Sequence, residues 1–284
     1  MKGPTLDFAT IIGIVLAFGA VVASALIGGV DLRILYERYE AFILVFGGTL
    51  GATMISFPLK TFLRGFIGGW RTVIMEPVYH ESHVISTLVS FAEKARREGL
   101  LALENEAAAL EDEFMRKGIQ LVIDGRDTDI IRKILETEVS FVSERNAKAE
   151  AVFMTLGGYS PTLGIIGTVL GLIAMLKGLA SIGGSGSGSV TGSIGTATAQ
   201  AFVATFFGIL MANLLWLPIG AKIKERNGQL MLLREIMIEG ILSIQAGDNP
   251  RLLEEKLHAF LDPADRDTDV EEGGAVGEAT LASA

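Results

Sequence analysis

Cysteine is absent from this 284-residue chain, which excludes disulfides and thiol chemistry. Histidine is nearly absent, with only His80, His83 and His258. His80 and His83 could share a helix face, yet two ligands without a cysteine do not make a structural metal site. A solvated helix start is the better reading. No nucleophile–base pair stands out, so hydrolysis and group transfer have no support and the chain is not expected to be an enzyme. The Gly/Ser-rich stretch "GGSGSGSVTGSIG" (183–195) lacks the Gly-Lys-Ser/Thr of a phosphate-binding loop, which removes a nucleotide reading.

The most informative scarcity is of charge. No Asp, Glu, Lys or Arg occurs in 8–30, 41–59, 151–176 or 178–221, and half of the chain is hydrophobic. A bilayer-crossing helix needs about 20 apolar residues. The first three windows each hold one span, and the fourth holds a flexible Gly/Ser loop and then one span. The expected architecture is an all-α integral membrane protein with four transmembrane helices. "VASA" (22–25) looks like a signal cleavage site, but the preceding apolar run is too long for a signal peptide and the n-region carries only Lys2 beside Asp7. It is read as a retained span.

The net charge of −9 hides an asymmetry: 13 of the Lys/Arg lie in 60–150 and seven lie after residue 221, whereas the two short connections have only Arg33, Arg38 and Lys177. The positive-inside rule puts the basic flanks, and both termini, in the cytoplasm. Helix one is expected over Phe8–Ile27 and helix two over Ala41–Phe57, where Gly47 and Gly51 form a small-xxx-small ridge. Residues 60–77 alternate basic and bulky apolar side chains. They either lie along the inner membrane surface or continue helix two.

A helical cytoplasmic domain occupies 59–150. Val84, Leu88, Phe91 and Ala95 repeat at helical spacing, as do Leu103, Ala107, Leu110 and Phe114, with Gly99 between the runs. "DGRDTD" (124–129) is a turn in which Asp127 or Asp129 can cap a helix that continues into span three. The domain order is therefore 1–58 (spans one and two), 59–150, 151–221 (spans three and four), 222–261 (a cytoplasmic helical tail) and 262–284, an acidic segment expected to be disordered.

All four spans lack an ionisable residue, although ion-translocating membrane proteins normally carry one. Spans three and four instead hold Thr162, Thr168, Thr196, Thr198, Gln200, Thr205 and Asn213. Hydroxyls and glycines are ordinary interhelical glue. The other reading is a wet path whose titrating carboxylate belongs to another chain. Pro161 and Pro218 each free a backbone carbonyl and can bend a helix. Gly164, Gly167 and Gly171 would let helices pack closely, within the subunit or around a partner.

Four stretches together resemble the MotA/PomA stator proteins of the bacterial flagellar motor, within the MotA/TolQ/ExbB proton-channel family. They are "LDFATIIGIVLAFGAV", "FAEKARREGLLALE", "SPTLGIIGTVLGLI" and "AFVATFFGILMANLLWLPIGAKIKE". The resemblance implies a homopentamer around a MotB/PomB dimer whose aspartate carries H+ or Na+, with no cofactor and no nucleic acid. It implies an inner-membrane protein that pushes on the rotor switch protein FliG. Pro161 and Pro218 match the family's functional prolines, and Thr168 and Thr205 match polar positions on the ion path. Arg96 and Glu104 match the rotor-facing charge pair, with adjacent Arg97 as the alternative register. Glu138 matches a further cytoplasmic acidic position. The Gly/Ser stretch 183–193 departs from the family, which more often has acidic and proline residues there. A TolQ/ExbB-like energy-transducing subunit is the nearest alternative, although such proteins usually have three spans. A passive membrane anchor is a third reading, one that leaves the Thr/Gly/Pro clustering unexplained.

Overall fold

The computed structural model describes residues 5–76, 81–180 and 188–261. His80, residues 181–187 of the Gly/Ser stretch and the acidic segment 262–284 lie outside the described residues. Four helical stretches are long and apolar enough to cross a membrane: Phe8–Ile27, Tyr39–Ser56, Thr128–Ala180 and Ile194–Ala246. The chain divides into two compact units. Among the described residues, one comprises 5–76 and 145–225, and the other comprises 81–144 and 226–261.

The first unit begins with β1 (Thr5–Leu6) and α1 (Phe8–Ile27), whose N-terminus Asp7 caps by accepting from the Thr10 amide at 3.0 Å. No residue of α1 is buried. A helix apolar on every side and unburied by its own chain has lipid or other chains as neighbours. A short helix, α2 (Arg33–Glu37), lies in the first connection, and α3 (Tyr39–Ser56) follows. Phe57 and Pro58 are extended, and this breaks α3 from α4 (Leu59–Ile74). The segment 60–77 is therefore not a simple continuation of helix two. β2 (Met75–Glu76) pairs antiparallel with β1, with Thr5 opposite Glu76 and Leu6 opposite Met75. This two-residue pair is the exception to an otherwise helical chain among the described residues.

The core of this unit is aromatic. Phe66 stacks on Phe153, with ring centroids 5.8 Å apart, and Trp216 lies 6.3 Å from Phe153. Phe62, Val152, Leu156, Ile219 and Ile223 complete it. Gly69 makes room for the Phe153 ring, which a β-carbon there would strike.

In the second unit, α5 (Glu81–Glu98) buries Val84, Leu88, Phe91 and Ala92, an amphipathic helical spacing. It ends at Gly99, whose φ of +87° is left-handed and costly for any residue with a β-carbon. A 3₁₀ turn (Leu100–Leu103) leads into α6 (Glu104–Ala109) and α7 (Glu113–Ile123). Asp112 caps α7 through the Met115 amide at 2.9 Å and pairs with Arg234 at 2.7 Å. The Arg234 guanidinium also lies 4.5 Å from the centre of the Phe114 ring. Asp127 accepts from the Asp129 amide at 2.9 Å and so opens α8 (Thr128–Ala180), which continues without interruption into span three.

Span four is α9 (Gly188–Met211), a π-helical turn (Ala212–Trp216) and α10 (Leu217–Ala246). Here the flexible-loop expectation is corrected for 188–193, because helix already begins at Gly188, while 183–187 lie outside the described residues. Gly and Ser disfavour helix by at most about 1 kcal/mol each, which an adjoining helix can override by propagation. Finally α11 (Pro250–His258) starts at Asn249, which accepts from the Arg251 amide. Leu253 and Leu257 of α11 join Ile119, Leu135, Ile236 and Ile241 in the core of this unit.

Candidate functional site

The seam between α8 and α9 is made of small residues. Gly164, Gly167 and Gly171 on α8 face Ala197, Ala201, Ala204 and Gly208 on α9. A β-carbon on Gly164 would stand 3.0 Å from the Ala204 carbonyl oxygen and 3.1 Å from the Thr205 Cα. One on Gly208 would stand 2.7 Å from the Ser160 carbonyl oxygen. The backbones are nearly in contact, the arrangement by which membrane helices gain van der Waals packing where no hydrophobic force separates protein from lipid. The three α8 glycines thus pack within the subunit. The facing stripe, spaced 4, 3 and 4, was present in the sequence at 197, 201, 204 and 208 and could have been found from that spacing.

This close approach brings Thr168 and Thr205 together, and their hydroxyls hydrogen-bond to each other. Thr168 Oγ1 also donates to the Gly164 carbonyl at 3.1 Å, and Thr205 Oγ1 lies 3.4 Å from the same oxygen. Each hydroxyl has one proton and two lone pairs. One threonine can donate to Gly164 while the other donates to it, leaving lone pairs on a half-buried surface. Such a pair can accept a bond from water or coordinate a cation. It cannot itself take up or release a proton near neutral pH.

Pro161 lies on α8 within one turn of Gly164, and the helix runs through it unbroken. Its ring nitrogen offers no hydrogen bond to the Gly157 carbonyl. Pro218, which is exposed, is the second residue after the π-helical turn. A proline clashes with the carbonyl four residues back, and a turn that widens the helix just before Pro218 relieves that conflict. Trp216, within this turn, is 1% exposed, and among the described residues neither its indole Nε1 nor the buried Ser160 hydroxyl has a hydrogen-bond partner.

A feature invisible in sequence lies at the start of α1. Asp7, only 2% exposed, forms an ion pair with Lys222, which also hydrogen-bonds to Thr10. Burial pushes the Asp7 carboxyl up, but hydrogen bonds from Lys222 and Thr10 and the Lys222 charge outweigh it. The result is a pKa lowered to about 2. The two partners are 215 residues apart, so no local pattern signals their meeting.

On the other unit, Arg96 and Arg97 end α5 and Glu104 begins α6; all three are exposed and make no ion pair among the described residues. On the same two helices, Lys94 of α5 pairs with Glu106 of α6. Arg96 lines a small cleft with Gly99, Ile244 and Asp248. Glu138 stands apart from this group: it is half-buried and pairs with Lys117.

Four span-length helices, two of them joined by a glycine–alanine seam carrying paired hydroxyls and no charge, define a helical membrane protein of the channel-subunit class. The chain belongs to the MotA/TolQ/ExbB proton channel family. The family profile matches residues 106–236. Motility protein A of Bacillus subtilis is 35% identical over 276 residues, covering 95% of this chain and 96% of that one. Chemotaxis protein PomA of Vibrio alginolyticus is 30% identical over 267 residues, covering 94% of this chain and 100% of PomA. Among solved structures, the flagellar MotAB stator complex from Bacillus subtilis matches with a TM-score of 0.82 at 34% identity, over 92% of this chain and 99% of that chain.

Proposed function

We propose that this chain is the channel-forming stator subunit of a bacterial flagellar motor. It assembles as a pentamer in the inner membrane, with both termini cytoplasmic, around a dimer of a MotB/PomB-type partner. The single observation that carries the reading is the Thr168–Thr205 pair on the glycine seam: half-buried oxygen ligands, with no carboxylate in the charge-free windows 8–30, 41–59, 151–176 and 178–221. The ion carrier must then be the partner's aspartate, and the transported ion is H+ or Na+. The family relationship and the motility names of its relatives support the same reading, and four span-length helices favour it over a TolQ/ExbB-like subunit.

Pro161 and Pro218 sit where ion occupancy would be converted to helix motion. The exposed, unpaired Arg96 and Glu104, with Arg97 beside them, are suited to a contact with the switch protein FliG that forms and breaks quickly. Exposed ion pairs are worth only about 0–1 kcal/mol, yet they steer approach and register. Glu138, held by Lys117, would act in that contact only after exchanging partners.

The test is twofold. Purified chain alone in liposomes should carry no H+ or Na+ current, and co-purified partner should confer it once any plug is removed. Pro161→Leu should leave membrane insertion and complex assembly intact while abolishing swimming. Current from the chain alone, or normal swimming by Pro161→Leu, would refute the reading. Swimming speed measured against sodium concentration, with and without a protonophore, identifies the ion.

A further inference from the structure

α4 is built as a surface helix with three separate faces. Phe62, Gly65, Gly69 and Val73 are buried against the unit. Turning about the axis at about 100° per residue, Leu59, Leu63, Ile67 and Ile74 come next, within about 80° of arc. All four are exposed, Ile67 by 66%. Lys60, Arg64 and Arg71 follow within about 40° of arc. They too are exposed, and none has an ion-pair partner among the described residues. Trp70 lies within the aliphatic arc, between Leu59 and Leu63; it is half-exposed and packs edge-to-face with Phe153.

Both ends of α4 are fixed to the same side of the bilayer. Its N-terminus follows the end of α3 after Phe57 and Pro58. Its C-terminus is tied to the start of α1: the β1–β2 pair and the Asp7 amide, which donates to the Ile74 carbonyl at 3.3 Å, join them. Consecutive spans joined by a short connection run antiparallel, so the end of α3 and the start of α1 share one membrane face. A helix of 16 residues, about 24 Å long, anchored to two points on that face must run along it. At that depth the exposed aliphatic stripe meets acyl chains and the adjacent basic stripe meets headgroups.

We infer that α4 is a binding site for anionic phospholipid, with Lys60, Arg64 and Arg71 holding the phosphate-bearing headgroups while Leu59, Leu63 and Ile67 hold the chains. The lipid belongs to the leaflet at which α1 begins, and the inference does not depend on which ion the channel carries. A charge-independent lipid contact would need only the aliphatic stripe. The segregation of all three basic residues of α4 onto one edge of it is what selects negative headgroups.

Trp70 supplies the readout, because the only other tryptophan, Trp216, is buried. Full-length chain in neutral detergent micelles is titrated with brominated phosphatidylglycerol or brominated phosphatidylcholine, and quenching is followed. Each basic residue at an anionic surface contributes about fivefold, so phosphatidylglycerol should be preferred by up to about a hundredfold at low salt. High salt should remove most of the preference. The triple variant Lys60→Gln/Arg64→Gln/Arg71→Gln should lose it, and the charge-keeping Arg64→Lys/Arg71→Lys should retain it. Gln at Lys133 and Arg251, exposed residues of the other unit, should change nothing. If the triple variant fails to fold, the salt titration and the charge-keeping variant decide the matter. Equal quenching by both lipids overturns the inference. So does a triple variant that changes the mass of the assembled complex but keeps the lipid preference, since the stripe would then be a contact between copies of this chain.

Discussion

The α8–α9 seam contains two kinds of glycine, and they should respond differently to a single methyl group. A β-carbon on Gly208 meets the Ser160 carbonyl oxygen at 2.7 Å, whereas ordinary contact begins near 3.4 Å. The helices must separate there by the difference, 0.7 Å, and the obstacle is backbone that no side-chain change removes. Gly167→Ala instead strikes the methyl of Ala204, itself removable. Overpacking of this kind costs about 1–3 kcal/mol. The stretched contacts of Thr168 and Thr205 would lose about another 1 kcal/mol. Alanine's better helix propensity returns about 1 kcal/mol. The net expectation is a loss of about 1–3 kcal/mol for either variant. Gly167→Ala/Ala204→Gly keeps one methyl and one glycine at the crossing and should return close to the parent. Gly208→Ala/Ala204→Gly should not recover. Gly158→Ala is the control, since nothing lies within 4 Å of a β-carbon there. Reversible unfolding in mixed micelles, monitored by helical ellipticity, measures each variant. If Gly208→Ala is as stable as the parent, or if Ala204→Gly fails to rescue Gly167→Ala, the helices are not packed at this distance and the account of the threonine pair falls with it.

Two further outcomes follow from buried or capped charges. Asp7 has a lowered pKa, so its contribution is fully present above the ordinary carboxylate range near pH 4 and is lost as pH falls toward about 2; Lys222→Met should destabilise the chain at neutral pH and flatten that acid limb, and an unchanged acid limb would deny the pairing. Asp112→Ala removes both the α7 cap and the partner of Arg234, and should cost about 1–2 kcal/mol in thermal unfolding; Asp112→Asn, which retains capping, should cost less.

The spans were legible because their signal is compositional. The helices read within the charge-free windows, Phe8–Ile27 and Ala41–Phe57, match α1 to the residue and α3 to within two. Capping by Asp127 or Asp129 and the run of α8 into span three were legible too, since an acidic turn followed by unbroken apolar periodicity has a local meaning; the structure selects Asp127. What escaped is non-local. Asp7 reads as a stray charge at a span edge until folding brings Lys222 to it. Gly188 reads as loop because propensity is summed residue by residue, without the helix already growing from Ile194. The glycines of α8 announced close packing, but only the structure placed Ala204 and Gly208 as the partner. The hydroxyl pair follows from that partner, because Thr205 could have faced either way on α9.

The π-helical turn at Ala212–Trp216 also has a consequence for insertions and deletions. One residue of helix is worth about 100° of rotation. The turn therefore acts as a reading-frame correction in three dimensions: before it, Ala201, Ala204 and Gly208 face α8, and after it Ile219 and Ile223 face the aromatic core. Loss of a single codon within 212–216 would restore regular hydrogen bonding locally and improve the helix as a helix. It would leave Ile219 and Ile223 facing the core, because the wide turn is what absorbs the extra residue, whereas loss of a residue from the regular helix after it would swing them out by about 100°. Selection should consequently tolerate loss of one residue within 212–216 more readily than loss of one residue from the regular helix on either side of it.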